Sequence, residues 1–462
     1  MARGKKKESA LTPEEKLAQA LVPDWEWPYK VPENWCWVKL ERLCSIPITD
    51  GTHKTPTYSD RENGSPFVSA KDITSEYIDW TNIKYITKEL HTELYERLAP
   101  QKNDVLLAKN GTTGVAALVE DDRVFDLYVT IAVLRPNMGI IIPQYLLRVI
   151  NSPVSKNQFD EHLTGIGVPN LHLRDIKATA IPLPPFSEQQ RIVDRIEYLF
   201  AKLDEAKEKA QSVLDSFETR KAAILHKAFT GELTAKWRVE HGVHFAPNNY
   251  SLIEVFNFID YRGMTPDKTD SGIPLITAKN IKKGYIDYRI SEYISPETYL
   301  QRLGRGIARR NDLLITTEAP LGNVALADQD TYSTAQRVIV LQLREEYRDK
   351  VNNKYVMHYM LDESFQTKLQ DQKTGSTVAG IKAAKLKLIP IVLPCVDEQL
   401  EVVRILDSLF AKEQQAKEAA EAVLEKIDLL KKSILARAFR GELGTNDPSE
   451  ESALEQLKAV LN

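Results

Sequence analysis

The sequence has few cysteines, few histidines and no long apolar run. Its three cysteines (Cys36, Cys44 and Cys395) are too few for a disulfide framework, and no Cys-x-x-Cys or His-x-x-x-His spacing indicates a structural zinc site. No stretch of about 18 apolar residues occurs, and no apolar segment follows the basic N-terminus as it would in a signal peptide. We therefore expect a cytoplasmic protein with no metal site and no membrane span.

Charge of one sign is also lacking. Lys and Arg number 61 and Asp and Glu number 65, which gives a formal net charge of −4. This balance excludes a polycation that binds nucleic acid by charge alone, but it allows a DNA-binding protein whose basic residues share one face. A chain of 462 residues is too long for one hydrophobic core, so we expect at least two domains.

Enzyme motifs are missing as well. The chain has no Gly-x-Gly-x-x-Gly after a strand, no Walker sequence and no Gly-x-Ser-x-Gly. The string Leu183-Pro-Pro-Phe186 resembles the Asn/Asp-Pro-Pro-aromatic motif of amino-methyltransferases, but leucine cannot accept a hydrogen bond from a target amino group. A rigid turn into a helix is the better interpretation, and a stand-alone methyltransferase is disfavoured. We predict no catalytic residue.

The sequence does contain an internal duplication. The segment Pro66–Ile73 (Pro-Phe-Val-Ser-Ala-Lys-Asp-Ile) recurs as Pro274–Ile281 (Pro-Leu-Ile-Thr-Ala-Lys-Asn-Ile). Further matches follow in the same order and at nearly the same separation: Asn103-Asp104 with Asn311-Asp312, Leu183-Pro184 with Leu393-Pro394, Glu188-Gln189 with Glu398-Gln399, Phe200-Ala201-Lys202 with Phe410-Ala411-Lys412, and Gly231-Glu232-Leu233 with Gly441-Glu442-Leu443. The chain is therefore two copies of one unit.

The first part of each copy mixes β-type runs with helical stretches. The β-type runs include Asp104–Ala108, Ile131–Leu134 and Val338–Leu341, whereas 144–162 and 352–372 are typical of helices. We predict an α+β fold. Its predicted parts are an N-terminal helical tail at 1–23, domain 1 at 24–186, a long helix at 187–243, domain 2 at 244–396, a second long helix at 397–443 and an acidic C-terminal tail with a helix at 444–462.

The second part of each copy carries apolar residues with alternating spacings of four and three, a heptad pattern typical of coiled coils. Ser187 and Asp397 are the predicted N-caps. Because each helix must bury its apolar seam, we expect the two helices to pair with each other, antiparallel, with an internal pseudo-twofold. Arg220 and Glu413 interrupt the two seams and could form a charged pair that fixes the register; two unrelated solvated charges are the alternative.

Polar loops that differ between the copies are the candidate DNA-binding sites. Their Lys, Arg, Asn and Thr side chains suit base edges, although the same residues also fill ordinary polar turns. A cluster of arginines in copy two suits phosphates or is simply a solvated face. Copy two is net basic and copy one net acidic. The predicted contact residues are Thr52, His53, Lys54, Thr55, Lys71, Lys109, Asn110, Thr112, Thr113, Asn170, Arg174, Arg262, Lys279, Asn280, Arg302, Arg305, Arg309, Arg310, Thr317 and Thr377.

From about residue 24 to 443 the sequence resembles the specificity subunit of type I restriction–modification systems. The resemblance rests on Pro32–Leu40, on Asn103–Leu107 followed by Gly114, on Ile181–Val193, on Ala228–Leu233 and on their second copies. The start of copy two departs from it, because Asn248-Asn-Tyr-Ser-Leu252 lacks the tryptophans of Trp35-Cys-Trp37.

The resemblance implies two target-recognition domains, each reading one half of a split, asymmetric DNA target, with the helices as spacer. It implies a non-catalytic subunit that docks two methyltransferase subunits and, for restriction, the restriction subunits. S-adenosylmethionine, ATP and Mg would then be bound by those partners, with no cofactor in this chain. The alternative from another class is a coiled-coil structural protein that oligomerises without binding DNA.

Overall fold

The computed structural model describes residues 12–74, 77–164, 169–374 and 380–461. It divides into two compact units. Unit 1 comprises Met1–Lys209 and Val423–Asn462, and unit 2 comprises Ala210–Ala422. The end of the chain therefore belongs to the same unit as its beginning.

Unit 1 is built from short strands and helices around a continuous core. Its strands are β1 (Cys36–Lys39), β2 (Thr49–Asp50), β3 (Tyr58–Ser59), β4 (Ser65–Val68), β5 (Ile73–Thr74), β6 (Tyr77–Ile78), β7 (Lys84–Ile86), β8 (Val105–Ala108), β9 (Ala116–Leu118), β10 (Asp126–Leu127), β11 (Ile131–Leu134) and β12 (Ala180–Leu183). Its helices begin with α1 (Pro13–Ala20), α2 (Lys88–Arg97), α3 (Pro143–Ile150), α4 (Pro153–Glu161), α5 (Leu173–Ala178) and α6 (Phe186–Asp215).

The domain in unit 1 contains two four-stranded sheets. One has the order β2-β11-β8-β9 and is antiparallel, and the other has the order β10-β4-β7-β3 with β10 and β4 parallel. Leu106 and Val133 pair across the first sheet, and both are fully buried because strands flanked by helices and a second sheet are apolar on both faces. A second core lies under the helices and includes Trp37, Tyr145 and Ile192.

Unit 2 repeats this plan. Its strands are β13 (Asn248–Ser251), β14 (Phe256–Asp260), β15 (Ile273–Ile276), β16 (Tyr293–Ile294), β17 (Leu313–Thr317), β18 (Leu321–Leu326), β19 (Ser333–Thr334), β20 (Val338–Leu343) and β21 (Pro390–Leu393). Its helices are α7 (Phe217–Phe229), α8 (Ala235–His241), α9 (Leu252–Val255), α10 (Pro296–Arg302), α11 (Asn353–Leu361), α12 (Glu363–Asp371), α13 (Ala383–Lys387) and α14 (Val396–Ala438), of which the residues from Val423 onward belong to unit 1. The antiparallel sheet β14-β20-β17-β18 corresponds to β2-β11-β8-β9, and β15 pairs in parallel with β19 as β4 does with β10.

The long helices run antiparallel within each unit. In unit 1 the Nζ of Lys431 lies 2.7 Å from Oδ1 of Asp204 and 5.0 Å from the ring of Phe200. In unit 2 Lys417 lies over the ring of Phe217 and Lys221 over that of Phe410. Later residues of one helix thus contact earlier residues of the other. The predicted α+β class, the duplication and the antiparallel helices are confirmed.

The predicted first long helix at 187–243 is interrupted twice, at Ser216 and again between Phe229 and Ala235. α6 ends at Asp215 and α7 begins at Phe217, whereas α14 is continuous over 43 residues. The hydroxyl of Ser216 donates to the carbonyl of Ser212, and an Arg220 nitrogen donates to the carbonyl of Val213 at 3.2 Å. Side chains that take backbone carbonyls in this way weaken the helical hydrogen bonds, which accounts for the break.

Arg220 and Glu413 meet in unit 2. The Nε of Arg220 lies 2.8 Å from Oε2 of Glu413, and both side chains are partly buried. The role of this ion pair in fixing the register stays a prediction.

The starts of the long helices differ from the prediction. α6 begins at Phe186 and α14 at Val396, so Ser187 and Asp397 lie inside the first turn and are not the N-caps. The repeated Glu-Gln motif holds these starts to the domains. The buried Gln189 bonds the backbone of Ile140 and Ile142, and Gln399 does the same at Lys350 and Asn352.

The C-terminal segment packs onto unit 1. A last helix, α15 (Ala453–Leu461), buries Ala453 and Leu457 in the core of this unit and contacts α1. Glu450 accepts hydrogen bonds from Ser187 and from both terminal nitrogens of Arg191. Since its side chains are so engaged, this segment is part of the folded unit and not a solvated tail.

Candidate nucleic-acid interface

Each domain carries the same turn beside its sheets, formed by Ser69–Asp72 in domain 1 and 277–280 in domain 2. The backbone N–H and hydroxyl of Ser69 both donate to the Asp72 carboxylate (2.8 and 2.7 Å), and those of Thr277 donate to the side-chain oxygen of Asn280 (2.9 and 2.7 Å). This capping closes the turn from inside. Asn280 is also buried, so its side chain supports the turn and is not exposed at the surface.

The third residue of each turn, Lys71 or Lys279, is exposed. The two predicted lysines thus occupy the same place in the two domains, and both are available to a ligand.

In each domain a loop follows an equivalent strand, β8 in domain 1 and β17 in domain 2. In domain 1 this loop lies against the turn. In domain 1 the hydroxyl of Thr112 donates to the carbonyl of Ala70 (3.0 Å), and the Ala70 N–H donates to the hydroxyl of Thr130 (3.0 Å). Asn110 forms a β-bridge with Asn170, which brings this predicted contact residue to the same place. In domain 2 the equivalent bridge joins Glu318 to Gly380. Each domain therefore gathers polar loops that are distant in sequence.

Some predicted contact residues of domain 1 are buried supports. The Asp50 carboxylate holds Lys109 (3.1 Å) and His53 (3.2 Å), and Lys109 is buried. Thr52 is buried and accepts the backbone N–H of Val129. Lys109 and Thr52 are therefore in the interior and are not accessible to DNA in this structure.

Other predicted residues of domain 1 are exposed or partly exposed. His53, Lys54 and Thr55 lie at the surface, where Lys54 pairs with Glu93. The side chain of Arg174 is 81% exposed and lies beside Asp175. The hydroxyl of Thr113 donates to the carbonyl of Gly111 (3.2 Å) within its own turn.

In domain 2 the predicted arginine cluster separates. Arg302 is 2% exposed: its Nε donates to Ser333 (3.0 Å), another nitrogen donates to the carbonyl of Thr334 (2.6 Å), and its guanidinium lies over the ring of Tyr261. Burial lowers its pKa. A side chain enclosed in this way cannot reach a phosphate, so Arg302 supports the domain instead.

The remaining arginines and threonines of domain 2 divide between surface and interior. Arg305, Arg309 and Arg310 are exposed, and Arg310 pairs with Asp330 at 3.1 Å. Arg262 is held by the Asp260 carboxylate. Thr317 is buried, and Thr377 lies outside the described residues.

An open cleft follows from this arrangement in each domain. Cleft 1, of about 470 Å³, is lined by Ser69, Ala70, Lys71, Asn110, Gly111, Thr112, Tyr128 and Thr130. Cleft 2, of about 400 Å³, is lined by Thr265, Pro266, Lys268, Leu275, Thr277, Ala278, Lys279, Glu292, Ala319, Ala335, Gln336 and Arg337. The two clefts are built on the same turn, loop and strand end, but the rest of their lining differs.

Sequence reasoning missed Tyr128, Thr130, Gln336 and Arg337. They lie just before the matched strands β11 and β20, and the polar loops from which the contact residues were predicted do not include these positions. Aligning the two copies through these strands and noting which flanking residues differ would have identified them.

In the described ranges, which omit 1–11, 75–76, 165–168, 375–379 and 462, no group of three or more His, Cys, Asp and Glu residues could hold a metal ion. Over the same ranges no helix is long and apolar enough to cross a membrane.

The family described as type I restriction modification DNA specificity domain matches this chain twice, at residues 32–214 and 248–426. The chain belongs to this family. Its relatives include the type I restriction enzyme EcoKI specificity subunit of Escherichia coli (strain K12), 23% identical over 429 residues that cover 90% of each chain. The EcoBI specificity subunit of Escherichia coli is 30% identical over 213 residues, which are 46% of this chain and 44% of the relative.

Solved structures share the fold. The HsdS subunit from Thermoanaerobacter tengcongensis matches 90% of this chain and 99% of its own, with a TM-score of 0.62 and 22% identity. A chain from a study of complex assembly and conformational transition of the type I R-M system matches with a TM-score of 0.60 and 22% identity, over 90% of this chain and 100% of its own. Specificity subunits are in general the non-catalytic members of type I systems, which assemble into complexes, and their domains recognise the halves of a DNA target.

Proposed function

We propose that this chain is the DNA-specificity subunit of a type I restriction–modification complex, and that domains 1 and 2 each read one half of a bipartite, asymmetric target. One observation carries the proposal. Clefts 1 and 2 have the same turn with an exposed lysine, Lys71 or Lys279, but different residues at the adjoining strand end. Two domains of one fold with different clefts suit two different short sequences.

The partners follow from the same proposal. Two methyltransferase subunits dock on the long helices, restriction subunits join them for cleavage, and double-stranded DNA lies against the clefts. S-adenosylmethionine, ATP and Mg are bound by those partners, and the complex works in the cytoplasm. The antiparallel helices act as the spacer between the half-sites, because a coiled coil of this length is stiff.

A coiled-coil structural protein without DNA binding is the alternative. It would need the paired helices, but it gives no reason for clefts that keep one architecture and differ in lining. Methylome sequencing of cells that express the chain with its methyltransferase subunits separates the two. We expect methylated adenines in a single split motif that disappears when the chain is omitted. Oligomerisation of the chain without any chain-dependent motif would support the structural alternative.

A further inference from the structure

One difference between the two clefts lies at a single equivalent position. In domain 1 the backbone N–H of Lys109, directly after β8, donates to the carbonyl of Thr130 (2.9 Å), and in domain 2 the backbone N–H of Thr317, at the end of β17, donates to the carbonyl of Arg337 (2.9 Å). Thr130 and Arg337 are therefore structural equivalents, fixed by the same backbone hydrogen bond.

The two side chains at this position do different things. The Thr130 hydroxyl accepts the Ala70 N–H, so it is used within the domain. The side chain of Arg337 is 56% exposed in cleft 2, and its Nε lies 2.7 Å from Oε1 of Glu318, itself 39% exposed. Domain 2 thus presents a guanidinium where domain 1 presents none.

Glu318 is held in place by the backbone. Its residue forms the β-bridge to Gly380, and the neighbouring Thr317 is buried. The backbone at Glu318 is therefore fixed, and its carboxylate contacts the guanidinium through Nε, which leaves the two terminal nitrogens to donate elsewhere.

Lys279 does not account for the difference between the domains. It is exposed beside Arg337, but Lys71 occupies the equivalent place in domain 1. A feature that both domains share suits what both half-sites share, the phosphate backbone, for which a lysine acts as a point charge. A feature that only one domain has suits what differs, the bases.

We infer that Arg337 reads a guanine in the half-site bound by domain 2 and that Glu318 is its positioning residue. The guanidinium fork matches the O6 and N7 acceptors on the major-groove edge of guanine, and no other base offers two acceptors at that spacing. The inference rests on the proposed function and assigns one base pair within it.

The test measures binding and methylation by the complete complex on the wild-type target and on duplexes that change each base pair in turn. For the wild-type chain we expect a guanine in one half-site whose replacement weakens binding about 10- to 100-fold. Arg337→Ala should remove the preference at that base pair alone, and 7-deazaguanine there, which lacks N7, should weaken the wild-type complex but not the variant. Glu318→Gln should reduce the preference without moving it.

Two matched variants separate this role from others. Lys279→Ala should weaken binding equally on all sequences and reduce its salt dependence, as loss of a phosphate contact does. Arg348→Ala, exposed and paired with Glu345 outside the cleft, should change nothing.

The outcomes are distinct. Equal losses at every base pair for Arg337→Ala, or an unchanged preference at every base pair, would overturn the inference while a bipartite wild-type target still supported the proposed function. If Arg337→Ala abolished binding altogether, Arg337→Lys, which keeps the charge but not the fork, would decide by whether the preference for that guanine falls. Absence of any bipartite target for the wild-type chain would instead contradict the proposed function.

Discussion

Each domain buries an aspartate directly before an equivalent strand, Asp104 before β8 and Asp312 before β17, and the two aspartates have different hydrogen-bonding partners. In unit 1 Asp104 is 1% exposed and accepts two hydrogen bonds from Arg135, from Nε and a terminal nitrogen, both at 2.8 Å. In unit 2 the equivalent Asp312 faces Gln342, whose amide donates at 3.0 Å. Arg135 also donates to the carbonyl of Ala99, and Gln342 to that of Ile307, so the geometry is preserved while the charge is not.

The consequence is electrostatic. The hydrogen bonds with Asp104 raise the pKa of Arg135, as expected for a stabilised ion pair. Burial raises the pKa of Asp312 to about 6, although hydrogen bonds from the Arg309 N–H and from Gln342 oppose the shift. The two domains thus differ in the electrostatic environment of the buried aspartate, and the difference arises from one position, which is Arg135 in unit 1 and Gln342 in unit 2.

The largest expected effect comes from breaking the ion pair of unit 1. Arg135→Gln leaves Asp104 buried without a countercharge, and we expect unit 1 to lose about 3–5 kcal/mol. Hydrogen exchange of the β8 and β11 amides in the complete chain measures this loss, while the β17 and β20 amides report unit 2. Arg174→Gln, exposed at the surface, is the control. Equal protection of β8 in variant and wild type would show that the pair contributes little.

The two units also differ in the side chain that α3 or α11 packs against an aromatic ring of a long helix. In unit 1 Arg148 of α3 lies over the ring of Phe200, and in unit 2 the equivalent His358 of α11 lies beside Phe410. His358 is 6% exposed, and neither ring nitrogen has a hydrogen-bonding partner among the described residues. Burial lowers its pKa to about 4; Asp407 opposes this, while Lys354 and Lys221 add to it.

Protonation of His358 should therefore destabilise unit 2 in acid. The folded pKa of His358 is below its ordinary value of 6.5. Its contribution to the free energy of unfolding of unit 2 is therefore complete above pH 6.5, and about 3 kcal/mol is lost as the pH falls towards 4. Hydrogen exchange of α11 at pH 7 and at pH 4.5 measures the loss. His358→Phe should flatten the pH dependence, and the same dependence in this variant would assign it to other groups.

The converse of the first prediction adds an ion pair to unit 2. The folded pKa of Asp312 is above its ordinary value of 3.8, so the contribution of Asp312 to the stability of unit 2 is complete below pH 3.8 and is lost as the pH rises through 6. Gln342→Arg supplies the countercharge, and we expect it to stabilise unit 2 at pH 7.5 on the order of 2 kcal/mol. Thermal unfolding of the variant against wild type at pH 7.5 and pH 5 checks this. A gain that is larger at pH 5 would contradict the electrostatic explanation.

The duplicated frame could be predicted from the sequence because it consists of apolar periodicity and repeated strings. The strands around Leu106 and Leu314 and the helices that follow Glu188 and Glu398 are local patterns. Packing then makes both copies fold alike. The frame residues therefore match between copies, and matching is what a single sequence can reveal.

The clefts could not be predicted in the same way, because burial of a polar residue depends on distant partners. From the sequence, Arg302 was predicted to contact a phosphate, but in the structure it is buried and donates to Ser333 and Thr334. Lys109 was predicted as a contact, but Asp50 holds it inside. Arg337 was missed because its partner, Glu318, precedes it by the two strands β18 and β19 and their loops. In each case the deciding contact is between residues far apart in the sequence.

The smallest expected effect concerns the helices that both copies share. Arg220 and Glu413 are partly exposed, so the pair should contribute about 1 kcal/mol to unit 2. Glu413→Arg places two cations together and should lower the thermal unfolding temperature, and adding Arg220→Glu should restore most of it if the two side chains interact. Because the Arg220 guanidinium also takes the carbonyl of Val213 beside the break at Ser216, full recovery is not expected. A double variant that is as unstable as the sum of the single variants would mean that the charges act independently and that apolar packing alone sets the register of these helices.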